Sequence, residues 1–302
     1  MAVLSIIIVS YNQLNILRNC LDSIKKFNDI GDNLEVIVSE NSPTNEIYDA
    51  LQAEYSWIKI IKNENIGFGR GNNRGYEFST GKYLIFLNPD TILIEPVFKF
   101  AINKFEEDDE LALFGVQLKD LNMNNVISFA CIDTDIKGII GHLKEKKRIN
   151  KGCFIDSNML ILGADLFVRR ESFEQAGKFD EQIFMYREEE DLVKRLKQKS
   201  KAKKVKFFGE KSIIHLEGGT EGRDYSSLRA KTERICVTDS YYTYKWNLDY
   251  CKILKNRIRF YRLSILMNML LLRFDKVKEK KIVAKIFLKE LHKQKILKKV
   301  QR

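Results

Sequence analysis

Short β-branched runs alternate with helical apolar periods along the N-terminal half of this chain. Leu4 to Ser10 is a continuous apolar run of strand length, and Leu14, Leu17, Leu21 and Ile24 recur at helical spacing within Leu14 to Phe27. The pattern repeats as strand Leu34 to Glu40, helix Glu46 to Tyr55, strand Ile58 to Lys62, helix near Asn72 to Ser79 and strand Tyr83 to Leu87. Strands that alternate with helices across short connections predict an α/β fold: a mostly parallel sheet with helices on both faces.

Composition narrows the class. With 302 residues there is room for one large domain or two, at ~100 to 200 residues each. Apolar residues at 44%, charged residues at 31%, and only 3 Pro and 16 Gly exclude a disordered or collagenous chain. The 5 cysteines include no Cys-x-x-Cys pair, so neither a disulfide framework nor a zinc ribbon is expected, and a reducing cytoplasm fits. Met1 to Val9 lacks the basic leader and cleavage site of a signal peptide. The longest uncharged run, the 17 residues from Met1 to Leu17, and the ten-residue run between Arg262 and Arg273 both fall short of the ~20 apolar residues that a spanning helix needs.

Charge is unevenly spread. From Gly222 onward 22 Lys+Arg face 7 Asp+Glu, a balance of +15 against +11 for the whole chain, which leaves the first 221 residues at −4. A mildly acidic body with a basic helical C-terminal region is expected, divided at 1–222 and 223–302. Between them, Asp120 to Gly152 shows no clear period and reads as a mobile loop. Met159 to Val168 reads as a strand and Arg170 to Ala176 as a helix.

Open sheets of this kind bind ligands beyond the carboxyl ends of their strands. Polar residues stand there: Ser10, Tyr11 and Asn12 after the first strand, Glu40, Asn41 and Ser42 after the second, and Asn88, Pro89, Asp90 and Thr91 after Leu87. Asn65 to Asn73 carries Gly67, Gly69 and Gly71 at the wrong spacing and place for a dinucleotide fingerprint. It reads either as a strand-to-helix turn or as a nucleotide-contacting loop with Asn72 and Asn73 as amide donors. Asp90, presented by Pro89, reads equally as a turn cap or as a ligand for a divalent cation shared with a diphosphate. His215, ahead of Glu217-Gly-Gly-Thr220, reads as structural or as facing phosphate or metal, and the glycines favour the latter. In Glu188 to Lys199, Leu192, Val193 and Leu196 follow Glu189 by three, four and seven residues, which puts Glu189 on the inward stripe. Glu190 aligns with Lys194 and Lys197 as a solvated set, and Glu188 and Asp191 share a side with Arg195.

Together these segments resemble the family-two inverting glycosyltransferases of GT-A fold, a Rossmann-like sheet, and most closely the rhamnosyltransferase-like branch that builds bacterial polysaccharides. The resemblance runs, in order, through Ser5 to Asn12, Val38 to Ser42, Asn65 to Asn73, Leu87 to Thr91, Gly177 to Glu181 with Phe184 to Leu192, and His215 to Thr220. It implies that residues 1–222 are the catalytic domain, with Ser10, Tyr11, Asn12, Glu40, Asn41, Gly67, Asn72, Asn73, Asn88 and Asp90 on the nucleotide sugar. It implies Mg²⁺ or Mn²⁺ near Asp90 and His215, Glu189 as catalytic base where the family usually has Asp, and Gly163, Ala164 and Asp191 towards the acceptor. Asn88 replaces the first carboxylate of the commoner Asp-x-Asp form. Met159-Leu160 departs from an Asp-Trp-like pair, so acceptor identity does not carry over.

The expected activity is sugar transfer from a nucleoside-diphosphate donor, dTDP-rhamnose by branch, to a hydroxyl of a lipid-linked glycan; a UDP-hexose or galactofuranose donor stays open. Tyr241, Tyr242, Tyr244, Trp246 and Tyr250, the basic Lys252 to Arg262, and a stripe of Val283, Ile286, Phe287 and Leu291 predict docking on an anionic inner membrane face. The other reading of this region is helices packed within the protein. The basic region also raises nucleic-acid binding, which the acidic body and the ordered motifs oppose. An inactive assembly subunit is opposed by the presence of Asp90, Glu189 and His215.

Overall fold

The structure, a computed structural model, describes residues 2–132, 134–150, 152–216 and 224–300. Elements run in the order β1 (Leu4–Ser10), α1 (Leu14–Lys26), β2 (Leu34–Glu40), α2 (Glu46–Glu54), β3 (Lys59–Lys62), α3 (Phe68–Tyr76), β4 (Tyr83–Leu87), β5 (Thr91–Leu93), α4 (Phe98–Glu107) and β6 (Leu111–Lys119). They continue as β7 (Phe129–Cys131), α5 (Thr134–Asn150), β8 (Met159–Ile161), β9 (Asp165–Arg169), α6 (Arg170–Ala176), α7 (Glu188–Lys199), β10 (Lys204–His215), α8 (Tyr225–Lys245), α9 (Tyr250–Leu270) and α10 (Phe274–Val300).

Eight strands form one sheet in the order β3-β2-β1-β4-β9-β6-β10-β5. The pairs β1–β2, β1–β4, β2–β3 and β6–β10 are parallel, while β9 runs against both neighbours and β5 against β10. This is the expected GT-A-like arrangement, mostly parallel and flanked by helices. All seven residues of β1 are buried. A strand covered on both faces needs apolar side chains on both, which is why β1 reads as an unbroken run rather than an alternation. Each fully buried aliphatic side chain contributes about 1.5–3 kcal/mol.

The chain divides into two compact units: Met1–Ala130 with Phe154–Phe184 and Glu188–Thr220, and Cys131–Cys153 with Met185–Arg187 and Glu221–Arg302. The two therefore interleave in sequence. Residues 120–152, expected to be a mobile loop, contain α5, so that reading is corrected. Gly138, at φ 64° and ψ −150°, breaks the helix there, and Asn256 Nδ2 donates to the Asp135 and Ile136 carbonyls at 2.9 and 3.1 Å. Tertiary hydrogen bonds thus hold a segment whose own apolar period is weak. Met159 to Val168, expected to be one strand, is β8 and β9 separated by a turn.

In the second unit the stripe of Val283, Phe287 and Leu291 is buried, in one cluster with Cys236, Tyr250, Cys251, Leu254 and Ile258. Tyr242 is fully buried as well. These residues form a helical core and not a lipid-facing surface, which corrects their assignment to membrane docking. A buried ion network accompanies them. Arg187 Nε donates to Asp239 Oδ1 and its Nη2 to Asp135 Oδ2, both at 2.9 Å, and Arg257 Nη2 donates to Asp135 Oδ2 at 2.6 Å. Arg257 Nη1 also pairs with Asp239. Burial alone would raise the Asp135 pKa, but Arg257, His142 and Arg187 hold it well below the usual carboxylate range. Asp135 and Glu145 in turn push His142 up to about 9.

Candidate active site

The ends of β1, β2, β3 and β4 open on one edge of the sheet because these strands are parallel. The antiparallel β9 begins at that edge, and β10, parallel to β6, finishes there. The first polar cluster lies over β1 to β3. Asn41 N donates to the Ser10 carbonyl at 2.9 Å, and Asn12 N donates to Ser42 Oγ at 2.7 Å. Glu40 has no exposed surface. Its Oε1 accepts from Ser42 N at 2.6 Å, whereas Oε2 accepts no hydrogen bond among the described residues. Asn63 Nδ2 reaches Ser39 Oγ at 2.8 Å and Asn41 Oδ1 at 3.2 Å. Lys62 Nζ donates to the Ser42 carbonyl and, at 2.6 Å, to that of Thr44, tying the loop after β2 to the end of β3. These loops border an open cleft of about 550 Å³, lined by Tyr11, Asn41, Ser42, Pro43, Lys62, Asn63, Glu64 and Asn65. That volume suits a small-molecule ligand, and an exposed aromatic beside amides and one lysine is suited to a base and an anion.

Gly67 is at φ 88°, and a Cβ there would stand 2.4 Å from the Phe184 carbonyl oxygen, which accepts from Phe68 N at 2.9 Å. A side chain at Gly67 would therefore separate α3 from the Phe184 loop. Asn41 Nδ2 lies 3.4 Å from the Gly67 carbonyl. Asn73, expected to contact the nucleotide, instead spends its amide on protein: Nδ2 donates to the Phe179 carbonyl at 2.9 Å, and Oδ1 accepts from Phe179 N at 3.0 Å. Asn72 is buried and donates to the Phe68 carbonyl. Asn73 thus anchors α3 to the Phe179 segment, which corrects the reading of its side chain as a ligand donor, whereas the bond of Asn72 stays within α3.

The second cluster joins β4, β5, β9 and β10. Asn88 N donates to the Ala164 carbonyl at 3.0 Å, so the Asn88-Pro-Asp90 turn is pinned to the turn before β9. Thr91 Oγ1 closes that turn on the Asn88 carbonyl at 2.7 Å. Pairing of Thr91 with His215 in the β5–β10 ladder brings His215 Nε2 to 3.3 Å from Asp90 Oδ1. Asp90 is 4% exposed. Carboxylate oxygen and imidazole nitrogen make a donor pair that suits a divalent cation whose remaining ligands are diphosphate oxygens and water. Among the described residues no group of three or more His, Cys, Asp or Glu gathers, so the described residues offer two ligands at this point. Glu217, Gly218, Gly219 and Thr220 lie outside the described residues.

Glu189 lies beside this cluster; expected on the inward stripe of α7, it is instead partly exposed, whereas Glu188, Glu190 and Asp191 are buried, because the start of the helix packs on a different side from its apolar residues. A Cβ on Gly163 would stand 2.0 Å from Glu189 Oε1, so glycine at 163 is the space the carboxylate occupies. Burial, then repulsion from Glu190, raises the Glu189 pKa, while its own backbone N–H and that of Gly163 pull the other way. Glu188 is 4% exposed, and burial followed by repulsion from Glu189 drives its carboxyl well above the usual range. Asp191, expected on the acceptor side, is fully buried and accepts from Arg195 Nε at 2.8 Å. Arg195 Nη1 donates to the Ala176 and Lys178 carbonyls, both at 2.5 Å. This pair fastens α7 to the end of α6, which suits a role in orienting Glu189 and not in meeting an acceptor. Glu190 is also buried, and Lys197 pairs with Asp156 at 2.7 Å, so the expected solvated set of Glu190, Lys194 and Lys197 does not form.

Sequence reasoning passed over Asp165. It is fully buried at the start of β9, its Oδ2 accepts from Val116 N at 2.8 Å, and burial raises its pKa well above the ordinary value. Lys62, Asn63 and Glu64 were missed as cavity residues; the end of β3 at Lys62 was the available signal.

A cavity, a carboxylate–imidazole pair and a carboxyl of raised pKa gather on one edge of a mostly parallel sheet, the edge at which open α/β sheets take their ligands. The Glycosyl transferase family 2 profile matches residues 5–175, and the chain belongs to that family of glycosyltransferases. It is similar to the rhamnosyltransferase WbbL of Escherichia coli K12, 26% identical over 203 residues that cover 63% of this chain and 75% of that one. Among solved structures it resembles the mannosyltransferase PcManGT of Pyrobaculum calidifontis, in complex with GDP-Man and Mn²⁺. The TM-score is 0.56 at 13% identity, and the match covers 79% of this chain and 63% of that one. It also resembles S. aureus TarS 1–349 in complex with UDP, with a TM-score of 0.52 at 13% identity over 97% of this chain and 92% of that one. At such identities these two structures speak for the fold.

Proposed function

We propose that this glycosyltransferase moves a sugar, with inversion, from a nucleoside-diphosphate donor to a hydroxyl of a lipid-linked bacterial glycan, working at the cytoplasmic face of the membrane. The observation that carries the reading is Glu189, raised in pKa and seated against Gly163, beside the Asp90–His215 pair on the edge where the cavity opens. The nucleotide occupies the cavity with Tyr11, Asn41 and Lys62 around it, and Glu40 and Ser10 behind, while Asn88 and Asp90 meet the diphosphate. Asp90 and His215 would hold a Mg²⁺ or Mn²⁺, which supplies counter-charge to the departing diphosphate. The acceptor oxygen attacks the anomeric carbon on the face opposite the diphosphate and forms the new glycosidic bond. Its proton passes to Glu189, and the carbon–oxygen bond to the diphosphate breaks. A base with a raised pKa binds that proton better near neutral pH than an ordinary carboxylate does.

The donor assigned is dTDP-rhamnose, supported by the likeness to a rhamnosyltransferase. In this reading residues 1–222 carry the chemistry and 223–302 the attachment. Incubation with a panel of nucleotide sugars and a lipid extract, scored by release of nucleoside diphosphate, tests it. Release is expected with dTDP-rhamnose, abolished by EDTA and by Asp90→Ala. Wild-type donor affinity and rate in both the chelated enzyme and Asp90→Ala would remove the metal from the reading. Release from no donor would remove the reading itself.

A further inference from the structure

The ten-residue uncharged run between Arg262 and Arg273 forms the end of α9 and the turn into α10. In a water-soluble helical hairpin such a run is expected to pack inward. Here Leu263, Leu266, Met267 and Leu270, at i, i+3, i+4 and i+7 of one helix face, are 42–77% exposed, and Leu271 and Leu272 continue the patch. Leu272 takes a left-handed conformation, φ 53°, where glycine would fit without steric cost, and it is 73% exposed. The turn is closed by Leu271 N and Leu272 N donating to the Met267 and Met269 carbonyls, both at 3.1 Å, so the leucines are displayed on fixed backbone.

Exposed cations border the patch on both sides: Arg259 and Arg262 before it, Arg273, Lys276 and Lys278 after it, with Asp275 and Glu279 as the nearby acids. We propose that this hairpin tip is a membrane wedge: the apolar patch enters the acyl boundary of an anionic bilayer while the bordering cations hold lipid phosphates. Charge selects this occupant. A second copy seated patch to patch brings the same basic border against itself, which is repulsive, whereas an anionic leaflet neutralises it. No helix among the described residues is long and apolar enough to cross a membrane, so the tip lies in the interface, where an apolar helix face sinks about 5–10 Å. The purpose assigned to the wedge, holding the enzyme beside a lipid-borne acceptor, rests on the proposed function; the binding itself does not.

The test is flotation of the full chain with phosphatidylethanolamine–phosphatidylglycerol vesicles and with pure phosphatidylcholine vesicles, in the absence of any sugar nucleotide. Wild type should float with the first and poorly with the second. Leu266→Asn/Leu270→Asn/Leu271→Asn should lower the bound fraction at least about tenfold with an unchanged melting temperature, since all three side chains are exposed. Arg262→Gln/Arg273→Gln/Lys276→Gln should weaken binding to the anionic vesicles by roughly fivefold per residue. Flotation of the leucine variant like wild type, or absence of wild-type flotation, overturns the proposal. A lipid-free dimer that the leucine variant dissociates while still floating also overturns it, in favour of a self-interface. Because no donor is present, a failed flotation leaves the transfer chemistry standing, and a failed transfer leaves the wedge standing.

Discussion

In the helical unit the buried Asp239 and the partly buried Asp135 lie between Arg187 and Arg257, whereas in the sheet unit the buried Glu188 and Asp165 and the partly buried Glu189 have no paired lysine or arginine among the described residues. The consequence shows in their proton affinity. Arg257, His142 and Arg187 pull Asp135 down against the effect of burial, and burial pushes Glu188, Glu189 and Asp165 up. Paired carboxylates have finished their electrostatic work at folding and fix where α8, α9 and the Met185–Arg187 segment meet. Unpaired ones keep their capacity for a proton or a ligand cation, the property a catalytic edge requires.

If the contrast is right, breaking a pair in the helical unit damages stability most. Arg257→Leu leaves Asp135 and Asp239 with one cation fewer in a buried setting, and is expected to destabilise by about 3–5 kcal/mol in urea unfolding. A loss under about 1 kcal/mol would mean that the network is solvated. In the sheet unit the corresponding damage falls on activity. Gly163→Ala drives a methyl into the Glu189 carboxylate, a flexible end that can swing away, so transfer is expected to fall about 100-fold while the melting temperature stays near wild type. Unfolding with no separate kinetic defect would make Gly163 a packing residue only.

Smaller effects sharpen the contrast through pH. Asp165 is neutral in the fold at pH values where the unfolded chain ionises it above about pH 4, so the unfolded state holds fewer protons and stability declines as pH rises towards the folded pKa. Asp165→Asn should remove that decline, measured as the slope of unfolding free energy between pH 5 and 8. An equal slope in both proteins would place water or a cation at Asp165. Glu190→Gln removes a repulsion that raises Glu189, and should move the acid limb of the rate profile to lower pH by less than about one unit. A shift to higher pH would contradict the electrostatics.

The two units also differed in how far the sequence revealed them. β1, β2, β4, α6 and α7 are legible to the residue, because β1 and β2 are rich in β-branched residues, β4 is an unbroken apolar run ended by Asn88-Pro89, and the helices begin at clear boundaries. β6 is not marked in the sequence: Gly115 and Gln117 interrupt Leu111–Lys119, and its neighbours β9 and β10 make it a strand. α5 reads as a loop in the sequence, since Gly138 and Gly141 interrupt its pattern and Asn256 from α9 supplies hydrogen bonds that the segment itself does not announce. At the site, residues just after strand ends were legible because parallel strands share an edge. Glu188 and Asp165 were not, since burial without a partner depends on neighbours distant in sequence. The apolar stripe of α10 illustrates the same limit: its period predicts a buried face, but only the structure says that α9 and α8 supply the cover.

The central claim is that Glu189 takes the acceptor proton. Single-turnover transfer by Glu189→Gln, with donor affinity measured in parallel, tests it most directly. The account predicts a fall of about 100-fold or more in transfer, loss of the acid limb from the pH profile, and donor binding within about twofold of wild type. Near-normal transfer by Glu189→Gln together with a collapse in Asp191→Asn would contradict it and move the base to Asp191.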